Sequence, residues 1–243
     1  MTPAALTALI DATWPAAKTR PVGPFVLRRG AGGGQRVSAA SASAAATPGE
    51  IAAAELAMRD WGQTPLFMVR PGEAALDATL AARGYGVVDP TRLWTAAAAT
   101  VGEPAPNNMA CFALDAPLAI MREFWAAGGV GPARLAVMDR APGPKAYLFA
   151  RQGDRPAGVA FCAIHAGTAM LHALEVPQRL RRRGAGANLV RGAAAWAMTR
   201  GATTFTTLTV AANGPAGALF GGLGMRAGTG YHYRKAAPLQ EVP

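Results

Sequence analysis

Apolar residues recur at helical spacing in two stretches of the downstream half, Pro117 to Ala127, where Leu118, Met121, Phe124 and Trp125 share a stripe, and Gly131 to Arg140. Three apolar runs follow, Lys145 to Arg151, Ala157 to Ile164 and Ala169 to Val176, joined by the short turn sequences QGDRP and HAGT, which predicts an antiparallel meander. A helix is predicted from about Gly186 to Arg200, with Val190, Ala193, Ala194 and Ala197 on its inner face and a stop at Gly201. After it come a β-branched strand, Thr203 to Val210, a short helix around Ala216 to Gly222, and a last strand near Tyr231 to Lys235.

The upstream half repeats the end of this pattern. Leu66 to Val69 is followed by a helix containing Ala75, Leu76, Leu80 and Ala81 and then by Gly84 and Tyr85. Leu208 to Val210 is followed by Ala216, Leu219 and Phe220 and then by Gly224 and Met225. Val69 to Gly84 spans fifteen positions and Val210 to Gly224 fourteen. The match points to a duplicated fold with Glu50 to Trp61 as the counterpart of the long helix; two unrelated strand–helix–strand units are the alternative. Residues 96–110, AAAATVGEPAPNNMA, read as an interdomain connection, which places the domains at 1–105 and 106–243. The expected class is α/β (α+β), with a mixed, mostly antiparallel sheet flanked by helices.

Composition narrows this picture. With 51% hydrophobic and 16% charged residues the chain buries a sizeable core. No run of about 20 apolar residues would span a bilayer, and the start has no basic segment followed by an apolar one, so a cytoplasmic location is expected. Cys111 and Cys162, with His165, His172 and His232, make no metal-ligand spacing. The net charge of +10 raises a nucleic-acid reading, but no exposed aromatics interleave with the basic residues as single-strand binders require.

The densest basic cluster, Arg179 and Arg181 to Arg183, lies in Leu171-His-Ala-Leu-Glu-Val-Pro-Gln-Arg-Leu-Arg-Arg-Arg-Gly-Ala-Gly-Ala-Asn-Leu-Val190. Here an apolar strand runs through Arg181-x-x-Gly184-x-Gly186 straight into a helix. Bare amides and the positive end of the helix dipole then form an anion site suited to a pyrophosphate, with arginines to neutralise further charge. The stretch is neither a P-loop, lacking GKS or GKT, nor a full Rossmann fingerprint.

This segment resembles the cofactor motif of the GNAT superfamily of N-acetyltransferases, Arg/Gln-x-x-Gly-x-Gly/Ala after a strand with an apolar end. Arg181, Gly184, Gly186 and Val176 carry the match, and it continues through Asn213, Ala216, Leu219, Gly224 and Met225, covering about residues 112–235. The resemblance implies acetyl-CoA as cofactor. Leu174, Glu175 and Val176 would then meet the pantetheine arm where the sheet opens, and Arg181, Arg182, Arg183, Gly184, Ala185, Gly186 and Ala187 the pyrophosphate. Asn213 and Phe220 would line the cofactor from the next strand and helix. It also implies an amine acceptor, a small molecule or a peptide, near Trp125, Gly129 and Val130. The upstream half, with SASAAATPG at Ser41 to Gly49 and no such motif, is expected to have lost cofactor binding, and Gly30 to Gly34 reads as a flexible hairpin turn.

Transfer to an amine needs a free lone pair, hence a base. His172 is the first candidate. Strict alternation puts it on the same face as Leu174, and the run Leu171-His-Ala-Leu is similar to the strand of the serotonin N-acetyltransferase group in which a histidine is linked to proton removal. Glu175 is the second, turned by alternation to the opposite face, where an ion pair with a loop arginine is the competing role. Many members of the superfamily carry a tyrosine at the place of Phe220 to protonate the leaving thiolate; here Tyr231, Tyr233 or water would have to stand in. A CoA-binding protein without catalysis is the second reading.

Overall fold

The structure, a computed structural model, describes residues 1–237. In the upstream part the elements are α1 (Pro3–Thr13), β1 (Lys18–Val22), β2 (Phe25–Arg29), β3 (Ser41–Ala42), α2 (Pro48–Arg59), β4 (Leu66–Val69), α3 (Ala74–Ala82), β5 (Gly86–Val88), β6 (Thr91–Ala97) and α4 (Ala98–Gly102). The downstream part follows with β7 (Cys111–Leu114), α5 (Ala119–Ala127), α6 (Pro132–Arg140), β8 (Lys145–Gln152), β9 (Arg155–His165), β10 (Thr168–Glu175), α7 (Ala185–Thr199), β11 (Thr204–Val210), α8 (Gly214–Gly222), β12 (Arg226–Thr229) and β13 (His232–Lys235).

The predicted meander is present. β8, β9 and β10 pair antiparallel, and Ala166 and Gly167 turn the second hairpin with φ of 45° and 72°. They belong to a seven-stranded sheet in the order β12-β6-β11-β10-β9-β8-β7. Alternation sorts its side chains. Ala146, Leu148, Ala160, Cys162, Ala169 and Leu171 face α7, whose Leu189, Val190, Ala193, Ala194 and Ala197 are buried against them. Tyr147, Phe161 and His172 form an aromatic row with Trp14 and with Trp125 of α5.

The chain divides into two discontinuous compact units, and this corrects the expected cut near Pro106. One unit comprises Met1–Pro15, Leu93–Thr209 and Asn213–Gly228; the other comprises Ala16–Arg92, Val210–Ala212 and Thr229–Pro243, of which residues up to 237 are described. The stretch read as a linker is half core: Ala98, Val101 and Gly102 of α4 are buried. A Cβ on Gly102 would lie 2.9 Å from the Ala195 amide nitrogen of α7. The small residues that looked like a connection are what lets one helix lie directly on another.

The second unit contains a β1-β2-β3 sheet and a three-stranded sheet in the order β4-β13-β5. Phe25, Leu27, Ile51, Met58, Phe67 and Leu80 form its core. The Gly30 to Gly34 run does not close a tight hairpin; it leads from β2 into a short 3-10 turn at Gln35–Val37 before β3 returns to pair with β2. β13 fills the slot between β4 and β5, as β6 fills the slot between β11 and β12 in the other unit. Each half therefore repeats strand, helix, strand, helix, strand, and each receives its last strand from the other half of the sequence. That exchange is the duplication expected from the Val69 to Gly84 and Val210 to Gly224 spacings, with a crossing that no local pattern reveals.

Candidate functional site

The site grows from the place where two central strands part. β10 and β11 run parallel and pair from Thr168 with Thr204 to Leu171 with Thr207; beyond Leu171, β10 continues only alongside β9. At that point Ala173 takes φ of 47° and the register with β9 shifts between His172 and Glu175, a β-bulge. The bulge is anchored: Trp125 Nε1–H donates to the Ala173 carbonyl at 2.8 Å.

The bulge inverts the expected faces. Leu174 and Val176 turn to the α7 side, packed on that core. Glu175, paired with Val159, turns to the side of His172 and α5. Its carboxyl lies against Gly128, the residue that ends α5. Arg181 Nη2 is 3.6 Å away, the loop ion pair anticipated as its alternative role. Burial pushes the Glu175 carboxyl above its ordinary range, and the Arg181 guanidinium only partly offsets this.

His172 is not an open base. It is 4% exposed, and its ring stacks on Trp14 at 4.9 Å. Thr13 Oγ1, which donates to the Leu9 carbonyl at 2.7 Å, lies within hydrogen-bond distance of Nε2, at 3.0 Å. His172, the first candidate base, thus sits behind α1, against Thr13 and Trp14.

After Val176 a 3-10 turn at Gln178–Leu180 leads to the basic loop, where Arg179 and Arg181 to Arg183 are exposed. Arg181 folds back, Nε donating to the Val176 carbonyl at 2.8 Å, so one of the backbone groups expected to meet pantetheine is already bonded. Arg182 and Gly184 have φ of 62° and 89°, which turns the chain into α7 with Gly184 as N-cap. No side chain caps the helix, and the amides of Ala185, Gly186 and Ala187 stand at its positive end. A Cβ on Gly186 would come 3.3 Å from Leu219 Cδ2 of α8; the two helices converge there. Asn213 caps α8, its Oδ1 accepting from the Ala216 amide at 3.1 Å while its Nδ2 remains a donor.

Four further expectations change. Phe220 is a core residue, 3% exposed, with its ring centre 6.0 Å from Trp94, so it lends shape and not a polar contact. Trp125 is fully buried with its N–H held by Ala173 and cannot touch an acceptor; its work is to hold the bulge. Val130 is 7% exposed and packs at the edge of a cleft of about 330 Å³ between α5 and α6, leaving Gly129, exposed with φ of 80°, as the open part of that turn. Tyr231 lies in the unit of β4, β13 and β5, 5% exposed, its hydroxyl accepting from Arg36 Nε at 3.3 Å and from the Tyr233 hydroxyl at 3.2 Å. Gly128, Thr13, Trp14 and Ala173 were missed. Only the Gly128-Gly129 pair at a helix end carried a signal for one of them.

An uncapped helix start behind a left-handed glycine, next to two parting strands, is the arrangement that the resemblance of the Arg181 to Gly186 segment implied. Residues 116–225, a little under half of the chain, match the model of the acetyltransferase (GNAT) family. Among solved structures, a GCN5-related N-acetyltransferase from Kribbella flavida superposes with a TM-score of 0.71 at 18% identity, covering 98% of this chain and 96% of that one. A GNAT-family acetyltransferase from Novosphingobium aromaticivorans gives 0.55 at 20% identity over 90% and 92%. A tandem GNAT protein from the clavulanic acid biosynthesis pathway gives 0.54 at 17% over 88% and 78%. At such identities these are likenesses of fold, and the fold is the GNAT fold in a tandem arrangement. No curated protein sequence matches the chain. Among the described residues no helix is long and apolar enough to cross a membrane, and no cluster of His, Cys, Asp or Glu is placed to hold a metal ion.

Proposed function

We propose that the chain transfers an acetyl group from acetyl-CoA to an amine, by direct attack, in the unit that contains α7. The observation that carries this reading is the free N-terminus of α7 behind Gly184, which follows in the chain after β10, the strand that parts from β11. The residues fit the cofactor: bare amides and three exposed arginines suit a pyrophosphate, and Gly186 lets α8 approach the start of α7 closely. Acetyl-CoA, when bound, supplies an acyl thioester as the electrophile.

The remaining chemistry falls to the protein. An acceptor amine arrives as an ammonium, with an ordinary pKa of about 10, and must lose a proton. We assign this step to Glu175: its carboxyl lies against Gly128 of the exposed turn, and burial raises its proton affinity above that of an ordinary carboxylate. The thiols offer no covalent route, since burial pushes Cys111 up to about 12 and Cys162 higher still. His172, Thr13 and Trp14 form the wall behind the bulge.

Acetyl-CoA is expected to bind with micromolar-range affinity and to raise the melting temperature, because a ligand of the folded state stabilises it by mass action. Gly184→Glu should abolish both effects because the added charge opposes phosphate; a Cβ there meets nothing within 4 Å, so the cost to the fold is the strain of a φ of 89°, and circular dichroism checks that the variant is folded. Calorimetry on the two proteins, followed by CoA release with a panel of amines, is the test. No heat with the wild type at millimolar acetyl-CoA would remove the assignment; binding without CoA release would favour a CoA-dependent binding protein, a reading that the apolar Phe220 supports.

A further inference from the structure

Gly128 ends α5 with φ of −87° and ψ of 6°, a conformation that any L-residue adopts. Its neighbour Gly129, at φ of 80°, is a glycine for backbone reasons; Gly128 is not. What excludes a side chain is Glu175. A Cβ at 128 would lie 2.6 Å from both Cγ and Cδ of Glu175 and 2.7 Å from Oε2. The geometry points to Gly128 as a positioning residue whose missing Cβ is the seat of the Glu175 carboxyl, within the acyltransfer reading proposed above.

The seat is held against an electrostatic gradient. The C-terminal end of a helix carries partial negative charge and repels a carboxylate, so attraction to α5 does not bring Glu175 there. The backbone does. The Ala173 bulge turns residue 175 toward α5, and Trp125 of that same helix donates to the Ala173 carbonyl, so bulge and seat move as one piece. β9 approaches from the other side with glycine as well: a Cβ on Gly158 would be 2.9 Å from the Glu175 carbonyl. Arg181, half-exposed at 3.6 Å, is the charged group facing the carboxyl. Gly128 and Gly129 are both exposed, which opens the seat to an amine from solvent.

Two measurements on Gly128→Ala test this. In the first, the Glu175 carboxyl is titrated by carbon-13 NMR, its resonance identified by its loss in Glu175→Gln. The wild-type carboxyl should titrate above the ordinary glutamate range and the Gly128→Ala carboxyl should return toward it, with acetyl-CoA affinity unchanged and a melting temperature at neutral pH no lower than that of the wild type. The second is turnover with an amine: kcat should fall 10-fold or more with KM for acetyl-CoA constant, and Gly128→Ala should add nothing further in the Glu175→Gln background, as coupled residues require. An unchanged titration, or an equal loss of kcat with Glu175 already removed, overturns the inference. A wild type that turns over no amine removes the acyltransfer reading, and the titration still decides the role of Gly128.

Discussion

At Glu175 one backbone irregularity decides which face the side chain takes. Strict alternation along β10 would have put this residue into the α7 core; the left-handed Ala173 shifts every later side chain by one face. Nothing in Leu171-His-Ala-Leu-Glu announces this, because a bulge at a non-glycine residue has no composition signal, and His172 therefore looked like the better base. The consequence can be checked by the sign of a stability change. The folded-state pKa of Glu175 is raised, so the fold prefers the protonated form. That preference contributes stability in full below the unfolded pKa of about 4.3 and is lost as pH rises through the folded value. At neutral pH the wild type carries a partly desolvated charge that Glu175→Gln does not. The substitution should lower kcat by roughly 100-fold or more yet raise the melting temperature at pH 7, with the difference closing as the pH is lowered. Melting curves across pH 4 to 8, beside kinetics, measure both; a destabilised Glu175→Gln at pH 7 would show that the Arg181 pairing outweighs burial.

Among elements, the two helices that occupy equivalent places in the halves differ at their first turn. α7 starts behind Gly184 with bare amides, whereas α2 starts with Thr47 as N-cap and Pro48 at N1. Thr47 Oγ1 accepts from the Glu50 amide at 3.3 Å, and Glu50 Oε2 accepts from the Thr47 amide at 2.8 Å. These bonds hold the Glu50 carboxyl below its ordinary range. The helix thus supplies its own anion, and proline removes an amide, so a pyrophosphate finds both donors and charge already matched. This gives physical content to the expectation, drawn from SASAAATPG, that the upstream half lost cofactor binding. Isothermal titration should return one acetyl-CoA per chain, and none for Gly184→Glu; a stoichiometry of two would mean that α2 or another surface of the upstream half binds as well. Elements were legible where their own period was strong: the meander, α7 and α8 lie within one or two residues of the sequence reading. α1, β6 and α4 were not, because their small or mixed residues acquire a core face only from partners distant in sequence.

For the whole molecule, the order of residues and the order of folding units disagree, and this bears on any attempt to isolate the acetyltransferase half. A fragment of residues 106–243 keeps the cofactor loop, Asn213 and Glu175. It loses β6, which lies hydrogen-bonded between β11 and β12, and α4, whose Gly102 touches the backbone of α7. It also loses α1, and with it the Thr13 bond to His172 and the Trp14 ring that covers both His172 and Phe161. Removing a buried tryptophan costs about 3–5 kcal/mol, and a domain holds only about 5–15 kcal/mol in all. The loss of a central strand between two others adds unpaired backbone groups on both sides. Meanwhile β13 stays on the fragment without β4 and β5, the strands it pairs with. The fragment should therefore show no cooperative thermal transition by circular dichroism and no acetyl-CoA binding, although it contains every residue of the cofactor motif, whereas the full chain melts cooperatively and binds. A fragment that melted cooperatively and bound acetyl-CoA would mean that residues 1–15 and 93–105 are accessory to the unit that the contacts assign them to.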